Sequence, residues 1–216
     1  MTLTFKETIG LFNADLHRRL ALEGKILSTW NTVVVFFSRG IFSVLIYRLK
    51  RYLYLKNSTL ANVFAWVLRF PEFHICHNEL DPRAEIGPGL VLNDRGGVAI
   101  SYANIIGKNC TFMGRATPTL GAMEDVNIEE DRIRIGDYCT IGPNVRIINP
   151  VTIADGVQIK ANTVVMATVK KEGALISGFP ARTVTVIPMD AVKAWSPLLS
   201  QFLPALSTPY VESRHA

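Results

Sequence analysis

Residues Ile135 to Lys170 read, six at a time, IGDYCT, IGPNVR, IINPVT, IADGVQ, IKANTV and VMATVK. The first place of each six holds Ile135, Ile141, Ile147, Ile153, Ile159 and Val165. The fifth holds Cys139, Val145, Val151, Val157, Thr163 and Val169, all small or β-branched. A period of six is neither the 3.6 of a helix nor the simple alternation of a strand. It predicts a parallel β-helix, in which each short strand and its turn consume six residues and stacked coils bury one continuous aliphatic column. Followed backwards, the register is opened by Ile86, Ile100, Ile106 and Phe112. Ile86 and Ile100 lie fourteen residues apart, two more than two sixes, which predicts a short insertion at Asn93-Asp94-Arg95-Gly96-Gly97. Phe112 and Ile135 lie 23 apart, three sixes plus five, which predicts a loop leaving the wall around Gly121 to Asp131. Insertions cannot enter a packed column, so both must project outward, where binding residues are to be sought.

A chain of 216 residues supports one good core and a small second region. Three regions follow from the pattern: a helical N-terminal region over 1–72, the β-helix over 73–188, and a tail with a short helix over 189–216. Thr2 to Glu23 reads as an amphipathic helix, with Phe5, Ile9, Phe12, Leu16 and Leu20 spaced by threes and fours. The net charge of +5 is unevenly placed. Gly24 to Pro71 holds seven Lys or Arg (Lys25, Arg39, Arg48, Lys50, Arg51, Lys56, Arg69) and no acid, which leaves −2 for the rest. This block is apolar, but its longest uncharged run, Ile26 to Ser38, is thirteen residues, too short to span a bilayer. Cationic, aromatic helices of this kind suit the plane of an anionic membrane surface or a buried hairpin between subunits. No recognised nucleic-acid module is present, and the β-helix is slightly acidic, which argues against nucleic acid as a partner.

The cysteines, Cys76, Cys110 and Cys139, have no paired or metal-ligand spacing, and two of them stand at the fifth place of a hexapeptide. They read as small core residues, consistent with a reducing, cytoplasmic compartment. Met1 to Arg19 has no apolar core followed by a cleavage site.

The run from Leu80-Asp81-Pro82-Arg83-Ala84-Glu85-Ile86-Gly87 through Gly97-Val98-Ala99-Ile100, with Thr119-Leu120-Gly121 and the closing Gly178-Phe179-Pro180-Ala181-Arg182, resembles the serine acetyltransferase branch of the left-handed β-helix acyltransferases. The helical block, with Leu45-Ile46-Tyr47-Arg48-Leu49, is more similar to polysaccharide-modifying members such as colanic acid acetyltransferases. The resemblance implies a mainly β fold, a single-stranded left-handed parallel β-helix preceded by helices. It also implies a homotrimer, with acetyl-CoA as a co-substrate lying between neighbouring β-helices and no permanently bound cofactor or metal.

In the family a histidine on the two-residue insertion, oriented by a carboxylate one coil earlier, takes the proton of the acceptor hydroxyl. Here Asp94 stands at the place of that histidine, and Glu79 at that of the carboxylate. The family's second histidine, on the projecting loop, is matched by Arg132. None of the four histidines, His17, His74, His77 and His215, falls on an insertion. Candidate catalytic residues are therefore Asp94 and Glu79, which could share a proton and lift one apparent pKa. His77, two residues before Glu79 and on the same side of an extended strand, is the third. Asn93, Arg95 and Arg132 are candidate substrate contacts, and Arg95 or Arg132 could instead neutralise the acids. Thr119, Leu120, Gly121, Lys160, Ala161 and Arg182 are the candidate acetyl-CoA contacts. The function expected is acetyl transfer to a sugar hydroxyl of a surface polysaccharide at the inner membrane face. Two alternatives stand beside it, a non-catalytic scaffold of a membrane-bound synthesis complex and a serine O-acetyltransferase.

Overall fold

The computed structural model describes residues 3–24, 28–36, 38–93, 96–119 and 131–194. The predicted coil is present and its three walls can be followed strand by strand. The first wall stacks β1 (Glu79–Leu80), β4 (Ala99–Ile100), β7 (Thr117–Thr119), β10 (Arg146–Ile148) and β13 (Val164–Val165). β4 and β7 are joined by the Ala99 N–H donating to the Ala116 carbonyl at 3.1 Å. The second wall holds β2 (Glu85–Ile86), β5 (Asn104–Ile106), β8 (Ile133–Ile135) and β11 (Thr152–Ile153). The third holds β3 (Val91–Leu92), β6 (Thr111–Phe112), β9 (Thr140–Ile141), β12 (Gln158–Ile159) and β14 (Ala174–Ser177), and β15 (Arg182–Val186) closes it as an antiparallel edge.

Register explains the breaks in the repeat. Thr140 faces Gln158 and Arg146 faces Val164, eighteen residues apart, which is three sixes per coil. In the first coil Glu79 faces Ala99 and Val91 faces Thr111, twenty apart, so the insertion adds two residues. Across the loop Asn104 faces Ile133 and Thr111 faces Thr140, 29 apart. The loop therefore adds eleven residues rather than five, and residues 120–130 lie outside those described.

The first and fifth places of each six point inward. Ile141, Ile147, Val165, Cys139, Val145, Val157 and Thr163 have no solvent exposure, and all three cysteines are buried free thiols. Aspartates tie the corners together: Asp137 Oδ1 accepts the Lys108 N–H, and Asp155 Oδ1 accepts the Asp137 N–H, both at 2.8 Å. At Gly107 a Cβ would stand 2.7 Å from the Gly136 carbonyl carbon of the next coil, so the second place of the repeat admits little beyond glycine there.

The N-terminal region forms α1 (Phe5–Leu22), α2 (Thr29–Phe36), α3 (Arg39–Leu55) and α4 (Thr59–Pro71), followed by a π-helical turn, Glu72–Cys76. Thr4 and Glu7 form a reciprocal capping box at the start of α1. Of its apolar stripe Phe12, Leu16 and Leu20 are buried, while Phe5 and Ile9 are exposed. After β15 a short helix, α5 (Met189–Ala194), follows.

The helices cap the open end of the β-helix, so part of the basic block faces inward onto the coil, a role that neither the membrane-surface nor the subunit-hairpin expectation gave it. The first coil has no preceding coil to pair with, so its edge groups need other partners. Arg48 donates to the carbonyls of Ile86 at 2.7 Å and Gly87 at 2.6 Å. Arg51 donates to Pro82 and Ala84, Lys50 to Leu80, Arg18 to Gly89 and Cys110, and Arg19 to Leu92. Two acids serve the N–H groups of the same edge. Asp15 accepts from Leu90 at 2.7 Å, and Glu72 accepts from Leu80 at 3.3 Å. Each acid is neutralised by a cation of the plug, Asp15 by Arg48 and Glu72 by Lys50. Three cations of the block, Arg48, Lys50 and Arg51, are thus consumed by backbone carbonyls inside the molecule. Of the seven, Arg39, Lys56 and Arg69 remain exposed, and Lys25 lies outside the described residues.

Candidate functional site

The end of the two-residue insertion, from Gly96 to Val98, folds back onto the segment that leads into β1. The Gly97 N–H donates to the His77 carbonyl at 2.5 Å, the Val98 N–H to Asn78 Oδ1 at 3.0 Å, and the Glu79 N–H to the Val98 carbonyl at 2.8 Å. Gly96 has φ +70°, and a Cβ there would lie 2.8 Å from the Cys76 carbonyl oxygen. A side chain is excluded by both torsion and contact, and this close approach holds the insertion beside His77 and Glu79. Asn93, at the root of the insertion, donates its N–H to the Phe112 carbonyl at 3.0 Å. Asp94 and Arg95 lie outside the described residues.

His77 does not sit on an extended strand with Glu79, as its spacing suggested. Its backbone is left-handed, φ +54°, because it ends the π-helical turn, and pairing begins only at Glu79. It meets the insertion through its backbone, and its side chain is exposed. Glu79 is half-exposed and forms an ion pair with Arg69 of α4. The guanidinium at Glu79 is therefore that of Arg69, not that of Arg132. Arg132 instead donates to Glu85 Oε1 of β2 at 2.7 Å, one wall away. The sequence offered Arg69 only as one more cation of the basic block, and nothing in its spacing paired it with Glu79.

A cavity of about 280 Å³ opens beside this ion pair, between α4, α3 and the first coil. Trp66, Tyr54 and Asn62 line its helical side, and Glu79, Asp81 and Arg83 its β-helix side. Burial acts to raise the Asp81 carboxyl, but two hydrogen bonds from Arg83 and its charge together hold it below the usual carboxylate range. An aromatic face with two carboxylates and two guanidiniums around one small cavity can hydrogen-bond hydroxyl groups as both acceptor and donor. Sequence reasoning missed Trp66 and Tyr54 as part of this site.

The residues matched to the donor side lie farther along the coil. Thr119 ends β7, opposite Ile148, whereas Leu120 and Gly121 lie outside the described residues. Lys160 and Ala161 turn out of β12, both exposed, and the Lys160 N–H donates to the Ile176 carbonyl at 2.9 Å. Ile159 faces Ile176 and Ser177 faces Arg182, so Lys160 and Arg182 share one exposed edge of the third wall. Glu79 is at the other end of the coil. β1 and β13 are separated on the first wall by four strand spacings of about 4.8 Å, or roughly 20 Å.

These features define a hexapeptide-repeat β-helix whose open end is closed by helices. Residues 132–167 match the family described as bacterial transferase hexapeptide (six repeats). The chain is similar to a serine acetyltransferase of Helicobacter pylori, 26% identical over 184 residues, with 79% of this chain and 95% of the relative covered. Its fold is that of solved serine acetyltransferases. The Neisseria gonorrhoeae structure superposes with a TM-score of 0.73 at 20% identity over 88% of this chain and 72% of that one. The Vibrio cholerae structure gives 0.75 at 16% identity over 89% and 70%. A Brucella abortus serine acetyltransferase in complex with coenzyme A gives 0.72 at 19% identity, over 85% of this chain and 70% of that one. The chain thus has the left-handed β-helix fold with N-terminal helices that these serine acetyltransferases share.

Proposed function

We propose that this chain is an acetyl-CoA-dependent O-acetyltransferase acting on a hydroxyl acceptor. The observation that carries the reading is the packing of the insertion against His77 and Glu79. Gly96 follows Asp94 by two residues in the sequence, and its contact with the segment leading into Glu79 supports a site shared by the two acids. Asp94, with Glu79 as its partner carboxylate, accepts the acceptor's hydroxyl proton as the oxygen attacks the thioester carbonyl carbon. Backbone N–H groups near Thr119 to Gly121 steady the tetrahedral oxyanion. Collapse breaks the C–S bond, releases coenzyme A as its thiol once protonated, and leaves the acetyl ester. Lys160, Ala161 and Arg182 hold the donor along the third wall, in a groove that a neighbouring subunit of a trimer completes.

Serine is the acceptor that the relatives favour, since the Helicobacter pylori serine acetyltransferase aligns along 95% of its length. A sugar hydroxyl is the second reading. It is favoured by Asp94 and Arg132 standing at the histidine places and by the Trp66-lined cavity at Glu79 and Asp81. The test is release of free coenzyme A thiol by the purified full chain given acetyl-CoA with serine or with nucleotide sugars. Turnover with serine alone selects the first acceptor, and turnover with a sugar alone selects the second. No turnover with either, together with no acetyl-CoA binding by calorimetry, sinks both and leaves a scaffold.

A further inference from the structure

Helix α4 packs on α3 along one side only, with Ala61 as its one buried residue. Leu60, Val63, Phe64, Trp66, Val67 and Phe70 are 53% to 74% exposed, and Phe73 and Ile75 of the following turn extend the surface. At 100° per residue these α4 positions cover about half the helix circumference. The four aromatic rings, roughly 200 Å² each, leave on the order of 500 Å² uncovered. That alone reaches the upper end of the largest apolar patch of an ordinary monomer, ~300–600 Å².

We infer that the α4 face and its following turn insert into the headgroup and acyl boundary of an anionic lipid bilayer. The rim of the patch has the complementary charge. Lys56 is exposed just before α4, Arg69 is exposed on it and paired with Glu79, no acid occurs from Gly24 to Pro71, and Glu72 is buried on Lys50. The neighbouring half-buried carboxylates, Glu79 and Asp81, each carry a guanidinium, from Arg69 and Arg83. A second copy docked on the same face would bring two cationic rims together, whereas anionic headgroups neutralise them. A half-circumference of Phe, Trp, Leu and Val with a cationic edge also suits the headgroup and acyl boundary of a bilayer. No described helix is long and apolar enough to cross a membrane, so the contact is one of lying in the surface. Arg48, Lys50 and Arg51 are committed to the β-helix edge and Arg69 is paired with Glu79, so apolar insertion supplies most of the affinity and salt weakens it little.

The docking bears on the candidate site because Trp66 and Arg69 line both the cavity at Glu79 and an apolar groove of about 600 Å³ on α4. Insertion of α4 places that cavity at headgroup depth, where an acceptor borne on a lipid would be presented. The docking itself does not rest on acetyl transfer, and its test needs no substrate.

The test is flotation of the purified full chain with vesicles of phosphatidylcholine containing one-third phosphatidylglycerol, without acetyl-CoA. The wild-type chain floats with the vesicles, and 0.5 M salt reduces its partition less than about threefold. Phe64→Asp with Phe70→Asp lowers partition at least tenfold while far-UV circular dichroism is retained. Lys56→Glu, which leaves the apolar face intact, lowers partition to anionic but not to pure phosphatidylcholine vesicles. Failure of the wild-type chain to float overturns the inference. So does a solution mass, by light scattering, that falls in the double Asp variant while vesicles bind neither protein, since a second copy is then the occupant.

Discussion

Arg48→Met tests the plug at its most buried point. Arg48 donates to Asp15 at 2.9 and 3.1 Å and to the Ile86 and Gly87 carbonyls, and neither Arg48 nor Asp15 has appreciable exposure. Methionine keeps much of the volume but leaves two carbonyls without donors and a buried carboxyl without its cation. Burial already pushes the Asp15 carboxyl up against the opposing pull of Arg48. Removing one partner of a buried pair costs about 3–5 kcal/mol. For a chain of this size that corresponds to a fall in Tm of roughly 6–20 °C. Urea unfolding followed by circular dichroism, at pH 7 and constant chain concentration, measures it. Asp15→Asn in the Arg48→Met background should recover part of the loss, because no buried charge then lacks a partner. A cost below about 1 kcal/mol, typical of an exposed pair, or strict additivity of the two substitutions, would refute the assignment of Arg48 to the β-helix edge.

Other outcomes follow from the same geometry. Burial pushes the Glu72 carboxyl up to about 7 from its ordinary 4.5, against the opposing charge of Lys50. Between these values the folded chain holds a proton that the unfolded chain has lost, so stability should fall with rising pH, by up to about 3 kcal/mol. Glu72→Gln should flatten that slope, and an unchanged slope would show that another group titrates. Burial first, and then the Glu72 carboxylate, hold the Cys76 thiol up at about 11. No thiol should therefore react with an aromatic disulfide reagent in the native state, and all three should react in urea. Prompt labelling of the folded chain would contradict the burial. Ile147→Ala removes a fully buried rung of the column and should cost about 2–5 kcal/mol in denaturant titration, whereas a loss under about 1 kcal/mol would place Ile147 outside the core.

The coil was legible because register in a β-helix is a property of the sequence itself. Ile135 to Val165 repeat every sixth residue, and each repeat adds one strand to the wall below. The two-residue insertion was read correctly in length, as the spacing of twenty from Glu79 to Ala99 shows, and Gly96 marks a place where only glycine fits. The loop was read in place but not in length, because a multiple of six hides inside a longer insertion. The plug could not be read at all. An arginine in an apolar helix looks the same whether it faces lipid or a row of carbonyls, and only the packing of α3 across the first coil distinguishes Arg48 from Lys56. The pairing of Glu79 with Arg69 was hidden for a similar reason. It depends on where α4 lands, and α4 makes little buried contact from which its position could be inferred. His77 misled because a π-helical turn, not a strand, precedes Glu79.

The most direct measurement is mass-spectrometric quantitation of acetylated acceptor formed from acetyl-CoA by the full chain and by Asp94→Asn, with serine and nucleotide sugars in parallel. A positioned base contributes about 10²–10⁴-fold, so the account predicts an acetylated product whose rate falls at least a hundredfold in the variant, with acetyl-CoA binding unchanged. Equal rates from the two proteins would contradict the placement of the chemistry at the insertion.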